Sequence, residues 1–218
     1  MKDVIILGAG GHAKVIADII KKNNDNLLGF LDDNEEIQNQ IIYDNKKVIG
    51  KIDECINYDD VYFIIGIGSN KVRKMLSEKY NLNWYTAIHP SAIIADDVTI
   101  EEGTVIMPGA IINSGSKIGT HCIVNTKVSI DHDNSIEDFV HISPGATLAG
   151  TVHIKESTWI CAGATIINNI TIEKDNIIGA GAVVIRDILD TNHTFVGVPA
   201  KKLYTESIYE NASIKKLR

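Results

Sequence analysis

The amino-acid sequence predicts a small Rossmann-like α/β domain followed by a parallel β-helix, and three observations carry that expectation. From Ile94 to Val184 an aliphatic residue stands at every sixth position, sixteen in succession without a miss. A second row, four residues behind the first, holds mostly small or branched residues, among them Val98, Thr104, Ala110, Cys122, Val128 and Ala146. Ahead of both rows, an apolar run ends in the glycine loop GAGGHA at positions 8–13, followed by helical spacing through Val15, Ile16, Ile19 and Ile20.

A period of six is neither the 3.6 of an amphipathic helix nor the 2 of an alternating strand. Two inward rows per six residues describe a short flat strand and a corner, and three such sides close one coil of about eighteen residues. The ninety residues from 94 to 184 therefore make five coils with no inserted loop. A sandwich of short strands would change register at each turn. Here the phase never slips.

The first segment reads as strand, glycine loop and helix. A second apolar strand over 27–31 ends in Asp32 and Asp33. A third, over 61–67, ends in Gly68-Ser69-Asn70 before a basic helix over 71–79. Strands alternating with helices form a parallel sheet, and ligands bind at the carboxyl ends of its strands. Gly10, Gly11 and His12, then Asp32 and Asp33, then Gly68 converge on that edge. The glycine loop fits a dinucleotide fingerprint, a mononucleotide or nucleotide-sugar site, or a tight turn alone. Only one βαβ half fits before His89-Pro90, where the repeat begins, which favours the smaller ligand. The polar stretch 35–45 reads as a surface loop, and His89 as a packing residue.

Composition narrows the partners. The chain has 218 residues, 44% of them hydrophobic, and a net charge of −7 with no basic run. Nucleic acid and anionic membrane are thereby disfavoured. Cys55, Cys122 and Cys161 are scattered without a CxxC pair, which suggests neither a disulfide framework nor structural zinc and suits a reducing cytoplasm. No apolar stretch approaches a membrane span. Beyond Val184, Lys201 and Lys202 supply local positive charge for an anionic ligand, and the tail over 203–218 reads as a short packing helix.

His132 lies between Asp131 and Asp133, and His141 immediately precedes Ile142; the repeat points both outward. A histidine flanked by carboxylates has a means of fixing its tautomer and raising its basicity, as a general base requires. No two of His121, His132, His141 and His153 are four apart, so no metal site is expected. Cys122 faces inward and Cys161 has no histidine placed beside it, which leaves a cysteine nucleophile without support. Pro144, Ala162 and Ala180 are spaced by eighteen, as are Gly145, Gly163 and Gly181. Both sets line one edge of the prism, either as a groove for a thin ligand or as a tight corner.

GAGGH, FLDD at 30–33, IGSN at 67–70, the unbroken hexapeptide repeat, the segment 129–150 and VGVPAKKL at 196–203 together resemble the bacterial sugar acetyltransferases of the sialic-acid and bacillosamine type. The likeness runs to about residue 203. It implies a substrate domain over 1–88, a left-handed β-helix over 89–203 and a tail over 204–218, assembled as a cytoplasmic homotrimer. It also implies acetyl-CoA as co-substrate, no metal and no membrane span. His132 would be the general base and Asp133 the carboxylate that orients it, with Asp131 as the possible substitute. His141, Ala162, Ala180, Lys201 and Lys202 would face the coenzyme. Gly10, Gly11, His12, Asp32, Asp33 and Gly68 would hold the nucleotide sugar.

The acidic pair suits a nucleotide ribose or base, so N-acetylation of a UDP-linked amino-dideoxy sugar is the leading activity. O-acetylation of sialic acid or a related hydroxyl is the alternative, and a non-catalytic trimeric scaffold the distant one. His132 and His141 are half a coil apart, about 15 Å or more around the prism. An active site using both would therefore lie between subunits.

Overall fold

The computed structural model describes residues 1–204. Its N-terminal unit comprises β1 (Asp3–Leu7), α1 (Gly11–Lys22), β2 (Asn26–Leu31), β3 (Ile41–Tyr43), β4 (Lys46–Gly50), β5 (Tyr62–Ile65), α2 (Asn70–Lys79) and β6 (Asn83–Trp84). The sheet order is β3-β4-β2-β1-β5-β6. β1 is central because it is buried on both faces from Val4 onward. Val4 and Ile6 pack with Ile16, Ala17 and Ile20 of α1, while Ile5 and Leu7 pack with Leu76 of α2. The carboxyl ends of β1, β2 and β5 lie side by side, which brings the three ligand-type loops to one edge.

The stretch 35–45 is not all loop. Asp44 and Asn45 take φ of 44° and 63°, the two left-handed residues that close a tight hairpin. Ile41–Tyr43 thereby pairs back on β4.

The hexapeptide rows form a left-handed parallel β-helix whose three faces are sheets of eight, six and five short strands. Its first rung lies one strand earlier than the count from Ile94, because Ala87–Ile88 pairs with Val105–Ile106. The period stops at Val184 but the stacking goes on out of phase, since Ile188 bridges to Ile172, sixteen residues back where every earlier rung is eighteen. From Gly103 to Gly181 every sixth residue has a positive φ, including His121, Asp133, Phe139 and Thr151. That left-handed residue turns each corner. In non-glycine residues it costs of order 1 kcal/mol or more, a strain the inter-coil hydrogen bonds hold in place.

The inner row is more polar than small or branched residues alone would make it. Thr104, Ser116, Asn134, Thr158 and Asn176 are fully buried. Each donates to a backbone carbonyl at a corner, as Ser116 Oγ does to Asp131 O at 2.9 Å. A buried carbonyl left alone would be costly, so these side chains satisfy the turns from within. Cys122 also lies in this row, its thiol donating to Glu137 O.

The two units share a core. The eight-stranded face turns Ala87, Val105 and Ile123 outward, and these pack under α1 with Ile16 and Ile20. At the far end Thr194–Val196 and Lys201–Lys202 make an antiparallel hairpin that caps the last coil. The helix expected of the tail lies outside the described residues. Among the described residues no helix is long and apolar enough to cross a membrane.

His141 corrects the expectation that both histidines reach solvent. It points away from the prism, in the outward row of Ala87, Val105 and Ile123, but the N-terminal unit covers that face and leaves His141 only 9% exposed. His132 is exposed, with 58% of its side chain accessible.

Candidate active site

The outward row continues from His141 to Trp159 and Ile177, and the cover ends along it. Trp159 is 42% exposed and its ring stacks on His141 at 5.7 Å. Between this row and α2 lies a cleft of about 1,100 Å³, lined by Gly68, Asn70, Lys74, His141, Trp159 and Ile177.

Arg73 holds the cleft together from behind. It is fully buried, donating to His121 O at 3.0 Å and Phe139 O at 2.8 Å on the β-helix, and to Gly68 O at 2.8 Å and Asn70 Oδ1 at 2.9 Å on its own loop. Asn70 Nδ2 donates to Ser157 O at 2.8 Å, and Lys74 pairs with Glu156. The loop after β5 is therefore pinned across the domain junction.

Burial, aided by the charge of Arg73, sets the protonation of the neighbouring histidines. His141 is pushed down to about 4, chiefly by burial and next by Arg73. His12, at the start of α1, is pushed to about 3 by burial, then by His141 and Arg73. Both are neutral imidazoles at physiological pH. His141 Nε2 lies 3.3 Å from Asn125 Nδ2, whereas His12 Nε2 is buried without a hydrogen-bond partner among the described residues. A buried, unpartnered imidazole nitrogen beside a glycine loop is a group awaiting a ligand.

The glycine positions have the same character. A Cβ built at Gly10, Gly11 or Gly68 would meet no atom within 4 Å, and none of the three has a left-handed φ. The backbone conformation does not demand glycine there, and the open space beside each remains for another molecule. The acidic pair is partly engaged within the protein. Asp32 accepts from Ala9 N and Asn34 N, and Asp33 accepts from Ile52 N, so both carboxylates brace the loops at the strand ends.

The second constellation lies at the corner after Ser129–Ile130. His132 Nδ1 is 2.8 Å from Asp133 Oδ2, and this bond is the largest influence raising the imidazole above its ordinary range. With Nδ1–H given to Asp133, Nε2 keeps a lone pair facing outward. Asp131 is occupied elsewhere, accepting the His132 backbone N–H at 2.9 Å and Asn113 Nδ2 at 3.0 Å. Asp133 is thus the carboxylate on the ring. His132 follows a strand of the six-stranded face and His141 stands on the eight-stranded one, and the cleft beside His141 is not lined by His132.

The coenzyme-side residues fall into two places. Ala162 and Ala180 are exposed and stacked with Pro144; Gly163 N donates to Pro144 O and Gly181 N to Ala162 O. The adjoining Gly145, Gly163 and Gly181 all have positive φ, so corner geometry alone accounts for those glycines. Nothing in the backbone accounts for the two alanines. Lys201 and Lys202 border a separate groove with Arg186 and Tyr204, and Lys202 pairs with Asp190 at 3.0 Å. Burial pushes the Cys122 thiol up to about 12 and raises that of Cys161, which leaves neither poised as a nucleophile. Among the described residues no group of three or more His, Cys, Asp or Glu is placed to hold a metal ion.

Sequence reasoning placed Asn70 in the third loop at this edge but missed Arg73, Trp159 and Asn125. Trp159 was within reach, since it stands eighteen residues after His141 and one coil above it. Arg73 was hidden in a helix whose other cations are on the surface.

Residues 3–80 match the family described as the PglD N-terminal domain. The chain is 42% identical over 114 residues to the UDP-N-acetylbacillosamine N-acetyltransferase of Bacillus subtilis, a match covering 49% of this chain and 52% of that protein. It thus spans about half the length of that curated relative. It is 29% identical over 169 residues to the GDP-perosamine N-acetyltransferase of Escherichia coli O157:H7, covering 71% and 73%. Among solved structures, PerB from Caulobacter crescentus in complex with CoA and GDP-perosamine superposes with a TM-score of 0.86 at 31% identity, over 94% of this chain and 98% of that one. The acetyltransferase domain of PglB from Neisseria gonorrhoeae in complex with acetyl coenzyme A gives a TM-score of 0.87 at 33% identity, over 93% and 99%.

Proposed function

Since this chain belongs to the hexapeptide-repeat sugar acetyltransferases, the family of the bacillosamine and perosamine N-acetyltransferases, we propose that it transfers an acetyl group from acetyl-CoA to the amino group of a nucleotide-linked amino-dideoxy sugar. The observation that carries this reading is the His132–Asp133 pair, an exposed imidazole with Nδ1 committed to a carboxylate and Nε2 free.

The chemistry is direct. Nε2 of His132 takes a proton from the sugar amine as its nitrogen attacks the thioester carbonyl; the N–C bond forms, the C–S bond breaks, and the imidazolium gives that proton to the departing thiolate, so that CoA leaves as the thiol and the base is restored. Asp133 holds the ring and stabilises the imidazolium that forms. Substrate binding is assigned to Gly10, Gly11, His12, Asp32, Asp33 and Gly68, with neutral His12 as a hydrogen-bonding group. Their support is the open space at the glycines and the unpartnered His12 nitrogen. Acetyl-CoA is assigned to His141, the Ala162 and Ala180 edge, and Lys201 and Lys202. The exposed, small-residue edge fits a thin chain such as pantetheine.

The site is completed by a second copy. His132 faces solvent on one corner while the cleft opens on another face, so we assign the active site to the junction between subunits of a homotrimer. Three free cysteines and the use of acetyl-CoA support the cytoplasm as its compartment.

The deciding assay is thiol release from acetyl-CoA with UDP-4-amino-4,6-dideoxy-N-acetylglucosamine, GDP-perosamine or sialic acid, run beside His132→Ala. Turnover on a nucleotide amino sugar, reduced about 10²- to 10⁴-fold in the variant, is expected. Turnover on sialic acid alone would move the activity to O-acetylation. Co-assembly tests the shared site: His132→Ala and Gly68→Trp, each inactive alone, should regain activity when mixed within one oligomer. No recovery, or full activity in a monomer, would refute it.

A further inference from the structure

The His132 ring is seated against a particular absence. Position 150 lies eighteen residues on, one coil above His132, and Thr151 N donates to His132 O at 2.9 Å. A Cβ built on Gly150 would stand 2.5 Å from His132 Cε1 and 2.6 Å from Nε2. The next nearest atom is also in that ring, Nδ1 at 3.2 Å. Gly150 is buried and its φ is not left-handed, unlike Gly145, Gly163 and Gly181 at neighbouring corners. Neither backbone conformation nor the coil's own packing asks for glycine here. The three nearest atoms that a Cβ at 150 would meet among the described residues all belong to the imidazole.

The other sides of the seat are equally specific. Asn134, 1% exposed, braces the turn from inside the prism. Its amide donates to Asp131 O at 2.6 Å and Ala149 O at 3.0 Å, and its carbonyl accepts Val152 N at 3.2 Å. It therefore ties the turn that carries His132 to the turn that carries Gly150. One coil below, the Asp133 carboxylate lies over the face of Gly115, where a Cβ would collide with Oδ1.

We propose that Gly150 is a positioning residue, whose missing side chain makes the recess that holds the His132 ring against Asp133, with Asn134 fixing the distance between the two coils. The proposal rests on the reading of His132 as the general base. An alanine at 150 would not unfold the coil, because an imidazole can swing aside on χ1 and χ2. It would swing away from Asp133, because the Cβ would stand 2.5 Å from Cε1 and 2.6 Å from Nε2 of the present ring. The cost falls on the orientation of the ring.

The test is Gly150→Ala in the full chain, alone and combined with His132→Ala, with the His132 titration followed by NMR beside thiol release and Tm. The proposal expects a Tm within a few degrees of the parent. It expects the His132 titration to move to lower pH, as it does in Asp133→Asn, and kcat to fall at least tenfold. Asn134→Leu, which keeps the volume and adds no charge but loses the donated bonds, should move the titration in the same direction, and Asn134→Gln should not restore it. An unmoved His132 titration in Gly150→Ala would overturn the proposal. So would an equal loss of Tm from Gly150→Ala with and without the His132 ring, because the alanine would then be striking the coil. A shifted titration with unchanged turnover would leave the seat standing and overturn His132 as the base.

Discussion

Arg73→Met tests whether the domain junction rests on one buried guanidinium. Methionine fills a similar path without donating a hydrogen bond. The parent side chain makes bonds of 3.0 and 2.8 Å to His121 O and Phe139 O, two carbonyls that accept from no other donor among the described residues. A buried acceptor left alone costs about 1–3 kcal/mol, so the pair costs about 2–6 kcal/mol. Against this stands relief from burying a charge that has no carboxylate partner, a burial strong enough to push the guanidinium down to about 10. The net loss should be about 2–4 kcal/mol. Urea unfolding followed by tryptophan fluorescence is the assay, because both tryptophans of the chain flank the junction. Trp84 meets His121 edge-on at 4.7 Å, and Trp159 lines the cleft. Arg73→Lys keeps the charge but cannot reach both units with a fork, and should recover less than half the loss. A loss below about 1 kcal/mol for Arg73→Met would refute the reasoning and return the guanidinium to a spectator of the packing.

Asp133→Asn removes the bond that most raises the His132 pKa; because the base acts unprotonated, the acid limb of kcat/KM should move to lower pH while the plateau falls roughly tenfold or more. An acid limb that stayed in place would count against the pairing. His12, His121 and His141 have folded pKa values of about 3, 4 and 4, below the unfolded 6.5. The unfolded chain therefore binds more protons between those values, and stability present above pH 6.5 should drain away as pH falls toward 4. His121→Phe should flatten the dependence of the urea midpoint measured from pH 7.5 to 4.5. Trp159→Ala removes the stack on His141 and opens the cleft; an aromatic pair worth about 0.5–1.5 kcal/mol gives a KM rise of about 2- to 12-fold with kcat little changed. A loss in kcat alone would argue that the ring acts on the reacting atoms.

The β-helix was legible because its signal is redundant. Sixteen aliphatic positions in one phase mark a β-helix, and to its rungs the structure adds an early one at Ala87 and an out-of-phase one at Ile188. The hairpin over β3 and β4 was not, because its strands are only three and five residues long and β4 opens on two lysines. Its one local signal, Asp44-Asn45, lacks the glycine that usually marks such a turn. The dyad could be read from adjacency, since Asp131, His132 and Asp133 are consecutive. The choice between the two carboxylates could not, because it depends on Asn113, one coil away, claiming Asp131. The burial of His141 was hidden for a similar reason. Ala87, Val105 and Ile123 form an apolar row on an outward phase, a sign of a covered face that appears only when the chain is read in steps of eighteen.

The same steps explain why the cleft histidine stands at 141 and not one coil to either side. Along the outward row, Ala87, Val105 and Ile123 are sealed beneath α1 and can only pack, while Trp159 has already emerged. The rim of the covering domain crosses the row at His141. A polar ring there is desolvated enough to stay neutral, with its pKa near 4, yet borders a cleft of about 1,100 Å³. One coil earlier it would have no access to a ligand; one coil later it would be solvated and would titrate near neutrality. His132 is set by the opposite condition, with no domain above it, a carboxylate beside it and a vacated position over its ring, so that its basicity is raised. One short span, 129–146, thus carries one histidine kept neutral and one kept basic, and what separates them is which face of the prism the N-terminal unit covers.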